Sequence, residues 1–498
     1  MEKYVLSIDQ GTTSTRALIV DNKGNIIEKA QREINLVYPH NGWVEADALL
    51  IWISVVECIT ELMVKANITW KNIDSIGITN QRETVVVFNK DTGMPIYNAI
   101  IWQSKQSEEI CNRYLDKEEL IREKTGLRIN TYFSATKIKF ILENVPEAKD
   151  LLAEHKLCAA TIDSWILYKL TNGHVFATDV TNASRTLLFN IHDMKYDEEL
   201  LDLFEIPLEM LPEVKENSYE FGKAEYFNVD IPICSLIGDQ QAALFGQTCF
   251  NKGDFKVTYG TGCFLLVNTG SEVISSKNGL ISTVGWKLNG ETIYALEGSV
   301  FMGGAIVQWL RDNLGVIEKA ADSEKAANNV SSSRDIYFVP AFVGLGAPYW
   351  DDKVRGTIFG LTRAAKKDHI IRAALESIDY QVRDLVEVAK KDSKIKFSEL
   401  RVDGGATANG YLMQFQSDLL QIPVILPKFL ETTALGAAYL AGLKTGFFKD
   451  FDAIKNIHKL SCTYKPHLSK KEVNELYKGW KLAVKSARTF NFRRNKWL

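Results

Sequence analysis

A short pattern near the start of the chain returns at the head of its second half, and it constrains the fold more than any other feature. "SIDQGTTSTRALIV", residues 7–20, reads as strand, glycine-hydroxyl turn, strand. "FKVTYGTGCFLLVNTG", residues 255–270, repeats that order in weaker form. A third glycine turn follows the strand-like start of "LRVDGGATANG", residues 400–410. Strand signals at residues 76–79, 85–88 and 99–102 alternate with helix signals at 48–65 and 107–115. This mixed order predicts α/β layers, and the repeat predicts a duplicated unit. A chain of 498 residues is also too long for one ordinary core. The polar, glycine-bearing "NKGDFK", residues 251–256, divides it into expected domains 1–250 and 251–498.

Composition narrows the class. With 46% hydrophobic and 24% charged residues the chain reads as a soluble globular protein. A net charge of -3 lacks the basic surplus of a nucleic-acid binder, so no nucleic-acid partner is expected. No apolar run is long enough for a transmembrane segment. The seven cysteines are scattered without a CxxC pair, and the chain opens Met1-Glu2-Lys3 straight into a strand. Reduced thiols and a cytoplasmic location are the expectation.

The turns suggest chemistry. Glycine lets backbone N–H groups approach a ligand, and the hydroxyls of Thr12, Thr13 and Ser14 add donors to anionic oxygens. Asp9, just before them, cannot bind phosphate but can hold a divalent cation that bridges phosphates. A lone turn of this kind is most simply a hydrophilic hairpin tip. Three such turns over two similar halves favour a nucleotide. No GxxxxGK[ST] sequence occurs, so a P-loop is excluded. Asp239 follows the apolar run 233–237 and Gly238, at a strand end where a helix begins. It reads either as a helix cap or as a carboxylate within reach of a reacting hydroxyl, and the two roles are compatible.

Taken together, "DQGTTSTR", "GITNQRE", "GDQQAALFGQ", "YGTGCF" and "DGGATAN" resemble the FGGY carbohydrate kinases, over residues 4 to about 445. The stretch 356–377 fits the same family. The resemblance implies two actin/hexokinase-like (ribonuclease H-like) domains with a cleft between them. "NQRE" with "GDQQAALFGQ" further points to glycerol as substrate, phosphorylated by ATP with Mg2+. By resemblance Arg82, Glu83, Tyr132 and Gln240 hold glycerol hydroxyls, Trp102 and Phe264 cover its carbons, and Asp239 is the general base. Thr12, Thr13, Ser14, Arg16, Thr261, Gly304, Gln308, Gly405 and Asn409 fall to the nucleotide, and Asp9 with Asp239 to the metal. A homo-oligomer, dimer or tetramer, is expected. Gly303-Gly304 reads as interrupting a helical run, and closure about residues 251–256 is expected. Another polyol or sugar kinase of the superfamily is the near alternative, and a nucleotide-driven binding protein of the actin kind the distant one.

Some family members are switched by phosphorylation of a histidine in the loop before the catalytic acid, and others by a sugar bisphosphate held there by arginine. Here that segment, residues 217–239, has no histidine and no arginine, and Lys223 is its one cation. A bisphosphate favours several donors. Activity should therefore not respond to fructose 1,6-bisphosphate or to a phosphohistidine relay. A several-fold response that disappears when residues 217–232 are exchanged would contradict this reading.

Overall fold

The computed structural model describes residues 2–490. Two mixed sheets carry the two halves. The first contains β1 (Tyr4–Gln10), β2 (Ser14–Val20), β3 (Ile26–Glu33), β4 (Ile73–Asn80), β5 (Ser218–Lys223) and β6 (Pro232–Gly238), in the order β5-β6-β4-β1-β2-β3. β1, β2 and β3 form an antiparallel meander, while β4 runs parallel to both β1 and β6. The second contains β7 (Phe255–Tyr259), β8 (Cys263–Gly270), β9 (Ile281–Leu288), β10 (Glu291–Val300), β11 (Leu400–Asp403), β12 (Val424–Pro427) and β13 (Leu460–Tyr464), ordered β9-β10-β8-β7-β11-β12-β13. β7 again pairs antiparallel with the next strand and parallel with a distant one, β11. The duplication is therefore real in topology. The second half departs from it in placing β10, not β9, beside β8.

The N-terminal run YVLSIDQ is buried at every position, as suits a strand covered on both faces. Helix α1 (Ala48–Lys65) falls where the sequence places it, and Asp47 caps it by accepting from the N–H groups of Leu49 and Leu50. The 107–115 signal resolves into α2 (Glu108–Arg113) followed by a 3₁₀ turn. The strand expected at 99–102 covers only Ala99–Ile100, which leaves Trp102 outside the ladder. The polar stretch 251–256 is a turn only in part. The Asn251 N–H is held by the Asp254 carboxylate, but Phe255 and Lys256 already belong to β7. Gly303-Gly304 does not interrupt a helix either, because α5 (Ala305–Asp312; after α3, Val180–Ala183, and α4, Asp239–Gly246) starts just beyond it.

The halves meet across α6 (Thr432–Thr445), a helix of the second half that lies over β1, β4 and β6 of the first. The hydroxyl of Ser7 donates to the Ala434 carbonyl at 2.7 Å, and that of Ser235 to Ala437 at 2.8 Å. Small residues permit the contact. A Cβ on Gly436 would fall 2.0 Å from the Ala242 carbonyl oxygen, and one on Gly246 equally close to that of Thr432. Backbone therefore touches backbone where α4 crosses α6. Gly436→Ala should destabilise the protein by about 1–3 kcal/mol through overpacking. The check is the urea midpoint, and an unchanged midpoint would mean that the crossing yields without cost.

Candidate active site

The site begins where β4 ends. After Asn80 the chain makes a three-residue turn in which the Thr84 N–H donates to the Arg82 carbonyl at 2.7 Å, with Glu83 at its centre. Glu83 takes a φ of 61°, in the left-handed region that a non-glycine residue rarely occupies. Such strain persists where the surroundings hold it, and here they do. Arg82 and Glu83 are both almost wholly buried.

Their partners lie far along the chain. Arg82 grips Glu297 on β10 with two bonds, Nη1 to Oε2 at 2.6 Å and Nη2 to Oε1 at 2.9 Å. Arg185 donates from Nε to Glu83 Oε1 at 2.6 Å and from Nη2 to Glu297 Oε1 at 3.0 Å. Burial alone would raise the Glu297 carboxyl, but Arg185 and Arg82 outweigh it and bring it to about 2. The guanidinium fork of Arg82 is thus spent on Glu297 and Gln241, not left free for a ligand. Its Nε–H makes no aligned hydrogen bond, although Asp239 Oδ1 lies 3.2 Å away.

Asp239 opens α4, one residue past β6, so Gly238 and not Asp239 is the N-cap. Its Oδ1 also accepts from the Gln240 N–H at 2.7 Å. Burial pushes its pKa up, opposed by Arg82 and Lys256. Lys256 reaches over from β7, buried, and donates to Gln240 Oε1 at 2.6 Å and Thr258 Oγ1 at 2.8 Å. Burial depresses this ammonium to about 8, against the pull of Asp403 and Asp239.

Three aromatics wall the space above. Trp102 meets Tyr132 edge-on with centroids 5.4 Å apart, and Phe264 at 6.3 Å. The Tyr132 hydroxyl lies 3.4 Å from Arg82 Nη2. Buried Lys137, held down to about 7 by its burial, donates to the Phe133 carbonyl at 3.0 Å and to that of Tyr132, which steadies this loop. The Trp102 indole N–H donates to Thr12 Oγ1 at 2.8 Å, joining the aromatic wall to the β1–β2 turn.

That turn carries Thr12, Thr13 and Ser14, with the Gly11 N–H closed onto the Ser14 carbonyl at 2.9 Å. Asp9 lies at its base, 4.0 Å from Arg16 on β2, whose Nε is bound to Gln31. Burial lifts the Asp9 carboxyl to about 6, with Arg16 opposing and Asp239 adding to the rise. Two carboxylates that push on each other suit a magnesium ion, which binds one or two protein carboxylates and takes its remaining ligands from phosphate and water. On the other side the N–H groups of Gly303 and Ala305 donate to the Thr261 carbonyl, and that of Gly304 to Gly260. This draws Thr261 and Gly304 together, with Ala406 packed on Gly304. Gly405 faces open space, and Gln308 is exposed one turn into α5. The Asn409 carboxamide caps the helix Gly410–Leu420 and reaches Ser323 at 3.3 Å.

The model of the FGGY family of carbohydrate kinases matches this chain twice, with its N-terminal domain over residues 4–246 and its C-terminal domain over 255–445. The chain belongs to the FGGY family of carbohydrate kinases. Among similar FGGY proteins are the glycerol kinases of Staphylococcus epidermidis, 52% identical over 98% of this chain and 99% of that one, and of Bacillus subtilis, 51% identical over 98% and 100%. The glycerol kinase of Plasmodium falciparum, solved with ADP, superposes with a TM-score of 0.91 at 37% identity, covering 98% of each chain. A gluconate kinase from Lactobacillus acidophilus shares the fold at 0.87 but only 23% identity over 99% of each chain. Among the described residues no helix is long and apolar enough to cross a membrane.

Within this FGGY site, Arg185, Glu297, Gln241, Lys137 and Lys256 were not singled out from the sequence. A lone acid inside the apolar strand "YALEGSV" was the available signal for Glu297. Lys256 was hidden in what read as a linker. Its charge should matter between the halves. Below about pH 8 Lys256 is protonated and holds Gln240; above it that charge is lost, so kcat/KM should fall on the alkaline side. Lys256→Met should lower kcat/KM about tenfold or more at neutral pH, as loss of a charged hydrogen bond does, and should flatten that alkaline limb. A limb that persists unchanged in the variant would assign it to another group.

Proposed function

We propose that this chain transfers the γ-phosphoryl group of ATP to a terminal hydroxyl of glycerol, giving sn-glycerol 3-phosphate, the first step of glycerol use. The observation that carries the reading is the pairing of Asp239 with Arg82 at 3.2 Å beside buried Glu83, beneath the Trp102, Tyr132 and Phe264 wall. A small uncharged triol needs dense polar contacts on one side and apolar cover on the other. Arg82 Nε–H is the donor not spent on Glu297, and Glu83 is the acceptor at the strained turn. Because Gln240 Oε1 is taken by Lys256, its amide N–H groups are the ones turned to a ligand. Burial, with Glu83 adding to it, keeps the Tyr132 phenol protonated, hence a donor.

In the transfer, Asp239 Oδ1 is fixed by the Gln240 N–H, with the Arg82 charge 3.2 Å away, which leaves Oδ2 to take the proton of the attacking hydroxyl. Mg2+, held by Asp9 with Asp239 in reach, would neutralise charge on the phosphates. Thr12, Thr13, Ser14 and Arg16 approach the transferring phosphate from the first half, and Thr261 from the second. Gly304, Gln308, Gly405 and Asn409 line the remainder of the nucleotide. Closure of the two halves keeps water from the phosphoryl group.

Asp239→Asn should fold normally and lose about 10²–10⁴-fold in turnover, the usual range for a lost general base. Near-normal turnover in that variant would remove Asp239 from the mechanism. The shared fold of the gluconate kinase leaves other polyols and sugars as the second reading, since fold does not choose substrate. If Arg82 and Glu83 read hydroxyls, 1,2-propanediol should show a far lower kcat/KM than glycerol, because a missing hydroxyl strands buried polar groups. Equal specificity constants for the two would count against the pair.

A further inference from the structure

Behind the site lies a buried polar cluster that touches no substrate position. Asp179, wholly buried, caps the short helix α3. Its Oδ2 accepts from the Thr181 N–H at 2.6 Å, from the Thr181 hydroxyl and from Asn217 Nδ2 at 2.7 Å; its Oδ1 accepts from Asn182 Nδ2 at 2.6 Å. These donors lead outward to two strand ends. The Thr181 hydroxyl, oriented by giving its proton to Asp179, accepts the Gly238 N–H at 2.9 Å, from the residue just before Asp239. Asn182 exchanges two bonds with Asn80, at 2.9 and 3.0 Å, at the end of β4 just before the Arg82-Glu83 turn. Asn217 also holds the Leu236 carbonyl on β6 at 3.0 Å.

We propose that Thr181, held by Asp179, is a positioning residue that fixes the Ile237–Gly238 peptide at the entry to α4 and through it aims the carboxylate of the next residue, Asp239. A carboxylate at the first residue of a helix has its direction set by the backbone that enters the helix, and here the Gly238 N–H, at the last residue of β6, is held by Thr181. The same spot orders Arg82. A Cβ on Gly238 would meet Arg82 Cδ at 2.7 Å, so the arginine stem lies directly on the peptide that Thr181 holds. The hydroxyl must face both ways at once, donating to Asp179 and accepting from Gly238. Valine has the shape of threonine but can do neither, whereas serine can do both.

The proposal rests on Asp239 acting as general base, and the test separates the two. Thr181→Val, Thr181→Ser and Asp239→Asn are compared with the parent enzyme for kcat, for KM with glycerol and ATP, for ADP affinity and for thermal midpoint. Thr181→Val should lose about 10–100-fold in kcat, the scale of a lost outer hydrogen bond to a working group, with KM for ATP and ADP affinity within about twofold. Thr181→Ser should recover to within about threefold of the parent. The proposal fails if Thr181→Val keeps kcat within about twofold while Asp239→Asn is inactive. It fails also if Ser and Val are equally impaired, or if the loss in Val follows a parallel loss of ADP affinity and thermal midpoint. An active Asp239→Asn would instead remove the base that Thr181 is said to aim.

Discussion

The ion pair between Arg82 and Glu297 holds the site together, because it joins a strand end of the first half to a strand of the second with neither group reached by water. Charges so deep require partners on every side. Arg82, Arg185 and Lys256 stand against Glu83, Glu297 and Asp239, three of each sign. Such a cluster gains little net stability over an apolar core, yet removing one member costs about 3–5 kcal/mol because the rest are stranded. The value of the arrangement is therefore positional. It fixes the strained Glu83 turn and leaves one N–H of Arg82 and one carboxylate oxygen of Asp239 as the groups not fully spent.

That division of labour explains how a pocket this charged can serve an uncharged substrate. Most of the charge is paired internally, so the surface presented to a ligand is a small set of directed donors and acceptors beneath three aromatic edges. The nucleotide side is built by the opposite logic. Its proposed contacts are glycine turns and hydroxyls, with open space at Gly405, and the Asp9 carboxylate, lifted by burial, lies at the base of the first turn.

The fold was legible because it is local and repeated. The β1–β2 and β7–β8 hairpins, the helix Ala48–Lys65 and the helix start at Asp239 each follow from a few neighbouring residues. The proposed contact residues were legible by type and by resemblance, and pairwise contacts link Arg82, Glu83, Tyr132, Asp239, Gln240, Trp102 and Phe264 into one chain of neighbours. What sequence could not supply was partnership. Arg82 and Glu297 are 215 residues apart, so an arginine beside a glutamate read as two free hydroxyl readers when its fork was already engaged. Lys256 was missed for the converse reason: two residues after Gly253-Asp254 it looks solvated, and only the strand register turns it inward. The turn at Glu83 carries no glycine to announce a positive φ.

The duplication finally shows how one architecture yields two chemistries. Aligning the two turns on Gly11 and Gly260 sets Thr12 opposite Thr261, Asp9 opposite Thr258 and Ser7 opposite Lys256. Ser7 and Lys256 each reach the other half, at matching places in each hairpin. Where the first half puts a carboxylate suited to a cation, the second puts a hydroxyl that can only donate or accept. Where the first half uses a small serine to let α6 lie on its sheet, the second extends an ammonium to the residue beside the proposed base. A symmetric pair would have placed two cation sites or two ammonium groups across one cleft, each repelling its twin. Divergence at two positions removes that repulsion and gives the arrangement a direction, with the Asp9 carboxylate on one side and the ammonium that steadies Gln240 on the other.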